Sequence, residues 1–154
     1  MLKKLLAAAV VAASVVCTPA GATELTPGQE RLLDNLDAAG VTVEVGECPS
    51  EEALGWFIPK KQFIALCTNV IDSEEEAWTT LRHEAVHAAQ FCVDPTMEST
   101  VLRYSVIRQH RSEDDWNFIR SAYHINDWAI ESEAFTLMRL SNDTIADLVE
   151  KACL

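Results

Sequence analysis

The stretch His83-Glu84-Ala85-Val86-His87 decides how the chain is read. Two histidines four residues apart lie on one face of a helix, one turn from each other. Their imidazole nitrogens can converge on a single tetrahedral ion. Glu84 lies beside them, able to reach a water at that ion without occupying a ligand position. In a chain with four histidines, this frame inside a well-specified helix is hard to obtain by accident. Ser73 and Glu76 have the spacing of a capping box, and Glu74, Glu75 and Glu76 place negative charge at the positive end of the helix dipole. Trp78, Leu81, Ala85, Val86, Ala88 and Ala89 supply an apolar face, and Asp94-Pro95 marks the stop.

Working outward, the N-terminus reads as an export signal. Lys3 and Lys4 precede an apolar run over residues 5–16 and then Ala20-Gly21-Ala22, which is a basic region, a hydrophobic region and an A-x-A cleavage site. The domain division expected is residues 1–22 as a signal peptide and 23–154 as one domain. Loss of residues 1–22 removes two lysines and no acid, so the net charge goes from −12 to −14 over 132 residues. That acidity argues against nucleic acid and anionic membrane as partners. No segment after the signal is long and apolar enough to span a bilayer. The mature chain is therefore expected outside the cytoplasm, secreted or periplasmic.

Four cysteines remain there: Cys48, Cys67, Cys92 and Cys153. No pair has C-x-x-C spacing, so two disulfides are expected rather than a cysteine zinc site. Three pairings are possible. Cys48–Cys67 and Cys92–Cys153 are favoured, the first joining neighbouring extended segments and the second tying the last helix to the end of the HExxH helix.

The remaining elements follow from local chemistry. Thr26-Pro27-Gly28-Gln29 opens a helix with Leu32, Leu33 and Leu36 on one stripe and Gly40 at its end. Residues 41–45 alternate like a half-buried strand. Residues 54–58 and 62–66 flank Pro59-Lys60-Lys61 as a hairpin. A further helix is expected to open at Thr96, with Met97, Val101, Leu102 and Val106 as its core face. Arg103, Arg108, His110 and Arg111 read as a solvated basic stretch. Ser112 caps a helix with Trp116 and Ile119 inward. Asn126 or Asp127 caps the helix of Glu131 and Glu133, and Asn142 or Asp143 caps the last one. The fold class expected is α+β, mainly helical, with a small antiparallel sheet of about three strands packed on the HExxH helix.

Two histidines do not complete a zinc site, since catalytic sites usually use three protein ligands and one open position. In the pattern HExxHxxGxxH, the glycine place is Gln90 and the third histidine place is Val93. A carboxylate from a later helix is the remaining common solution. With HExxH as the specific motif, residues 63–140 resemble a gluzincin, a zincin-like zinc metallopeptidase whose third ligand is a glutamate on a following helix. Glu131-Ser132-Glu133-Ala134-Phe135 is similar to the short E-x-x-A segments of small bacterial zincins.

The resemblance implies Zn²⁺ held by His83, His87 and Glu131, with Glu133 as the alternative, since only one of the two can face the site. It implies Glu84 as general base, and Tyr123 or His124 as donor to the developing oxyanion, with Tyr104 and His110 behind them. It also implies a peptide or protein substrate. The chain departs from thermolysin-like members at Phe135, where they carry an aspartate that orients a histidine. Asp127 or Gln90 is expected to serve instead. Rival readings are a secreted zinc-binding module without catalysis and a hydrolase of another amide, such as cell-wall peptide.

Overall fold

The computed structural model describes residues 24–154, so the signal-peptide reading lies outside the described residues. In order, the elements are α1 (Pro27–Ala38), β1 (Thr42–Gly46), β2 (Gly55–Ile58), β3 (Phe63–Cys67), α2 (Glu74–Val93), α3 (Tyr104–His110), α4 (Glu113–Ala122), α5 (Trp128–Leu137) and α6 (Asn142–Cys153). The α+β class holds. Short 3-10 turns occupy Pro59–Lys61 and Ile125–Asp127.

The sheet is mixed, which corrects the antiparallel expectation. Its order is β1-β3-β2, with β1 parallel and β2 antiparallel to β3. The reason is legible in composition. Phe63-Ile64-Ala65-Leu66-Cys67 is an unbroken apolar run and takes the centre, whereas Thr42-Val43-Glu44-Val45 alternates and suits an edge. β1 ends where Gly46 faces Cys67, and β2 starts at Gly55 opposite Leu66. Residues 47–54 therefore need only cross the end of β3. Gly40, at φ +77°, turns the chain from α1 into β1. At Gly55 a Cβ would stand 2.6 Å from the Ala65 carbonyl oxygen and 2.8 Å from Thr80 Cγ2, so glycine is what lets β2 press against both β3 and α2.

α2 is the axis of the molecule. It packs on β2 and β3 on one side and on α5 and α6 on the other, while α1 packs on α6 and β1. Every residue from 84 to 90 is buried, and over the motif the helix is covered except on the side of half-buried His83. Its small residues Ala85, Ala88 and Ala89 are fully buried and let the neighbouring elements approach. Leu32, Leu36, Ile64, Leu66, Leu81, Val86, Ala134, Ile145 and Val149 form the core around them. Arg82 is also buried. Its guanidinium donates to the Met138 carbonyl, Asn142 Oδ1, Glu75 Oε1 and Thr79 Oγ1, tying α2 to the α5–α6 corner.

Several local expectations are corrected. Ser73 Oγ accepts the Glu76 amide as expected, but the Glu76 carboxylate accepts the amide of Asp72 rather than that of Ser73. No helix opens at Thr96. Asp94 Oδ1 captures the Thr96 amide and hydroxyl, Met97 sits at φ +59°, and Glu133 takes the amides of Val101 and Leu102. These contacts hold residues 94–103 out of a helix until α3 begins. There Ile107 is buried and Val106 is exposed. Arg111 lies with its guanidinium carbon 3.7 Å from the centre of the Trp116 ring, so this part of the basic stretch is stacked rather than freely solvated. His124 caps the 3-10 turn before α5, and Ser141, not Asn142 or Asp143, caps α6.

Both favoured disulfides are formed, Cys48–Cys67 and Cys92–Cys153. Two bridges suit an oxidising compartment outside the cytoplasm. Among the described residues, no helix is long and apolar enough to cross a membrane. The Cys92–Cys153 bridge closes a separation of 61 residues. Its replacement by a serine pair is expected to cost about 4 kcal/mol on chain-entropy grounds. Denaturant unfolding of Cys92→Ser/Cys153→Ser against the unaltered protein measures that loss.

Candidate metal centre

α2 and α5 cross so that one carboxylate meets two imidazoles. His83 Nε2 and His87 Nε2 stand 3.1 Å apart. Glu131 Oε2 lies 3.5 Å from His83 Nε2, and Glu131 Oε1 lies 3.5 Å from His87 Nε2. Bonds of about 2.0–2.1 Å in a tetrahedron separate ligand atoms by about 3.3 Å, so these spacings fit one small cation. The three side chains form a group able to hold a metal ion. They are 11%, 10% and 10% exposed, in the order His83, His87, Glu131.

The fit has a second support. Glu131 Oε2 is buried with no hydrogen-bond donor. A buried carboxylate oxygen left without a partner costs free energy unless a cation or donor meets it. Two imidazole nitrogens and one carboxylate oxygen are a donor set suited to a first-row transition ion.

Charge is balanced tightly here. Burial opposes a proton on His87, but the Glu131 contact, the Glu84 charge and Gln90 together raise its pKa from 6.5 to about 9. Burial likewise opposes ionisation of Glu131, and its contacts with His83 and His87 overcome this, holding it at about 2 instead of 4.5. The stability supplied by His87 is complete below 6.5 and lost as pH rises through about 9. That supplied by Glu131 is complete above 4.5 and lost as pH falls towards about 2. Both describe one contact. The metal-free protein is therefore expected to be most stable from about pH 4.5 to 6.5. A divalent ion should reverse the alkaline decline, because it needs the imidazole that the proton would otherwise hold. Thermal unfolding across pH, with chelator and with zinc, reads both branches.

Of the three, His83 lines a cleft of about 600 Å³. Its walls are the outward face of α2 with Thr79, His83 and Glu84, the 52–55 segment, and the side chains of Phe118, Tyr123, Phe135 and Met138. Glu84 is 6% exposed and lines this cleft while standing outside the ligand triad. Tyr123 lines it too. Burial, then the charges of Glu131 and Glu84, push its phenol well above the usual tyrosine range, so it stays a proton donor.

A larger depression of about 920 Å³ lies between α1 and α6. Its one arginine, Arg31, is already paired with Asp147 and Glu150, and among the described residues no cluster of three metal-ligating side chains lies there.

Compared with known proteins, the chain matches no family model, no curated protein and no solved structure.

The other expected site residues divide. His124 is exposed, and its Nδ1 accepts the Asn126 amide instead of reaching the cleft. Tyr104 is 41% exposed and its hydroxyl accepts from Arg111, away from the cleft walls. Glu133 stands outside the group that could hold an ion. It is fully buried and engaged by Gln90 and by two backbone amides. Between the two residues weighed for orienting a histidine, Gln90 makes the contact, 2.7 Å from His87 Nδ1. Phe135 packs its ring edge-on against His83, 4.8 Å between centroids, so an apolar wall stands where an orienting carboxylate was absent from the sequence. The burial of Glu133 was missed. Its one sequence signal is its place two residues from Glu131, on the opposite face of α5.

Proposed function

We propose that the chain is a secreted, zinc-dependent peptidase of the gluzincin kind, with His83, His87 and Glu131 holding the metal and Glu84 as general base. The observation that carries this reading is the position of Glu84. It is buried beside the triad and faces the cleft, yet it is not one of the ligands. A purely structural metal site has no use for such a carboxylate, and it would have no open side.

Zinc, when bound, would polarise a carbonyl and bring the pKa of a water towards ~7. Glu84 accepts the proton of the attacking water and returns it to the leaving amine. Tyr123 donates its phenolic proton in a hydrogen bond to the oxygen on which charge develops, a task that its raised pKa suits. Phe118, Phe135 and Met138 give the cleft apolar walls that receive apolar side chains.

Purified mature protein should carry one zinc per chain and cleave members of a mixed peptide library, with chelator abolishing and zinc restoring the cleavage. Stoichiometric zinc without hydrolysis of any peptide, including cell-wall peptides, would favour a binding module instead.

A further inference from the structure

Gln90 is wholly buried, and its amide is committed on both sides. Its Nε2 lies 3.0 Å from the Ile130 carbonyl oxygen and 2.9 Å from Glu133 Oε2. Both of these are acceptors, so this end of the amide must be the NH₂ donor. Its Oε1 then faces His87 Nδ1 at 2.7 Å. An amide oxygen cannot donate, so Nδ1 must carry the hydrogen, and the lone pair of the neutral ring falls on Nε2. Nε2 is the atom that meets His83 and Glu131.

Glu133 orients the amide together with the Ile130 carbonyl. Its other contacts are the backbone amides of Leu102 at 2.6 Å to Oε1 and of Val101 at 2.9 Å to Oε2. Both of its oxygens therefore only accept. The same carboxylate thus pins residues 101–102 and one end of Gln90.

We infer that Glu133 and Gln90 are positioning residues: Glu133 fixes the Gln90 amide, which fixes His87 as an Nε2 ligand and couples the ring to the 94–103 segment. The inference rests on the metal reading given above but not on catalysis. Neither residue touches substrate or the reacting atoms.

The test uses the mature protein with Gln90→Met, Glu133→Gln and the double variant. The first readout is zinc affinity, by competition with a chromophoric chelator. The second is the imidazole NMR spectrum of the zinc-loaded protein. Outer partners of ligating histidines are typically worth about 10–100-fold in metal affinity. Each single variant should lose at least about tenfold. The double variant should lose no more than the worse single, because Glu133 acts through Gln90. The unaltered protein should show a slowly exchanging Nδ1–H on His87, absent in Gln90→Met.

Folded single variants that bind zinc like the unaltered protein overturn the inference, as do losses that multiply in the double variant. If the variants do not fold, the unaltered protein still decides, since ligation of His87 through Nδ1 overturns it alone. A failure of the peptidase reading looks different. Zinc would bind and the Nδ1–H would be present, but no peptide would be cut.

Discussion

Glu84→Gln is expected to lower peptide hydrolysis by about 10²–10⁴-fold, the usual worth of a general base, while the zinc content stays at one per chain. The substitution is nearly isosteric, so the cleft walls and the packing of α2 should survive it. What it removes is the capacity to accept a proton. Glu84 stands outside the group that could hold the ion, so the metal should remain. The loss should fall on kcat rather than KM, because the proton moves only as the reaction proceeds.

A second effect has the opposite sign. The Glu84 charge is one of the causes that raise the pKa of His87 in the metal-free protein. Neutralising it should let His87 release its proton at lower pH and take up zinc more readily near neutrality. An enzyme that loses turnover yet binds its metal no worse is the signature expected of a base. Zinc content and steady-state kinetics on the best library peptide measure both effects. Undiminished hydrolysis would remove Glu84 from the mechanism, and lost zinc would place it among the ligands.

How much of this was legible in the sequence depends on the range of the interaction. The α2 helix, its acidic first turn and the i, i+4 histidines are local matters, and they stand as read. The disulfides were also readable, because four cysteines leave only three pairings and the elements they join are neighbours. The strand order was not. A hairpin reading of residues 54–66 is local and correct, but whether β1 lies beside β2 or beyond β3 depends on which strand the core buries. The apolar run 63–67 carried that information, though only in comparison with β1.

The least legible stretch was 94–103. The Asp94 contacts to Thr96 and a buried carboxylate 31 and 32 residues away, which takes the amides of Leu102 and Val101, together keep it out of a helix. For the same reason Glu133 read as a rival ligand. Its role depends on amides that no periodicity places near it. His124 shows the reverse error, in which closeness in sequence to the ligand helix stood in for closeness in space, and a local cap won.

Glu131→Ala is expected to have the largest effect on the metal. Two imidazoles from one helix remain, and neither can supply the charge that balances the cation. The loss of zinc affinity should exceed the 10–100-fold typical of outer partners, and hydrolysis should fall to background. The effect on stability should depend on pH. From about pH 4.5 to 6.5 the metal-free protein keeps a His87–Glu131 contact, and losing one partner leaves a buried imidazole with a weaker claim on its proton. Above about pH 9 that contact has already lapsed, and what remains is a buried carboxylate with an oxygen that no donor meets. Removing it there relieves a desolvation cost. The variant should therefore unfold at lower temperature than the unaltered metal-free protein in mild acid, and at equal or higher temperature in alkali. Zinc should separate the two proteins at every pH above neutrality, stabilising only the one that still has its third ligand. Curves that run parallel across pH would mean that Glu131 is an ordinary packing residue and that the cation is held elsewhere. A crossing, with zinc rescue confined to the unaltered chain, is what a carboxylate kept for a metal at the expense of stability requires.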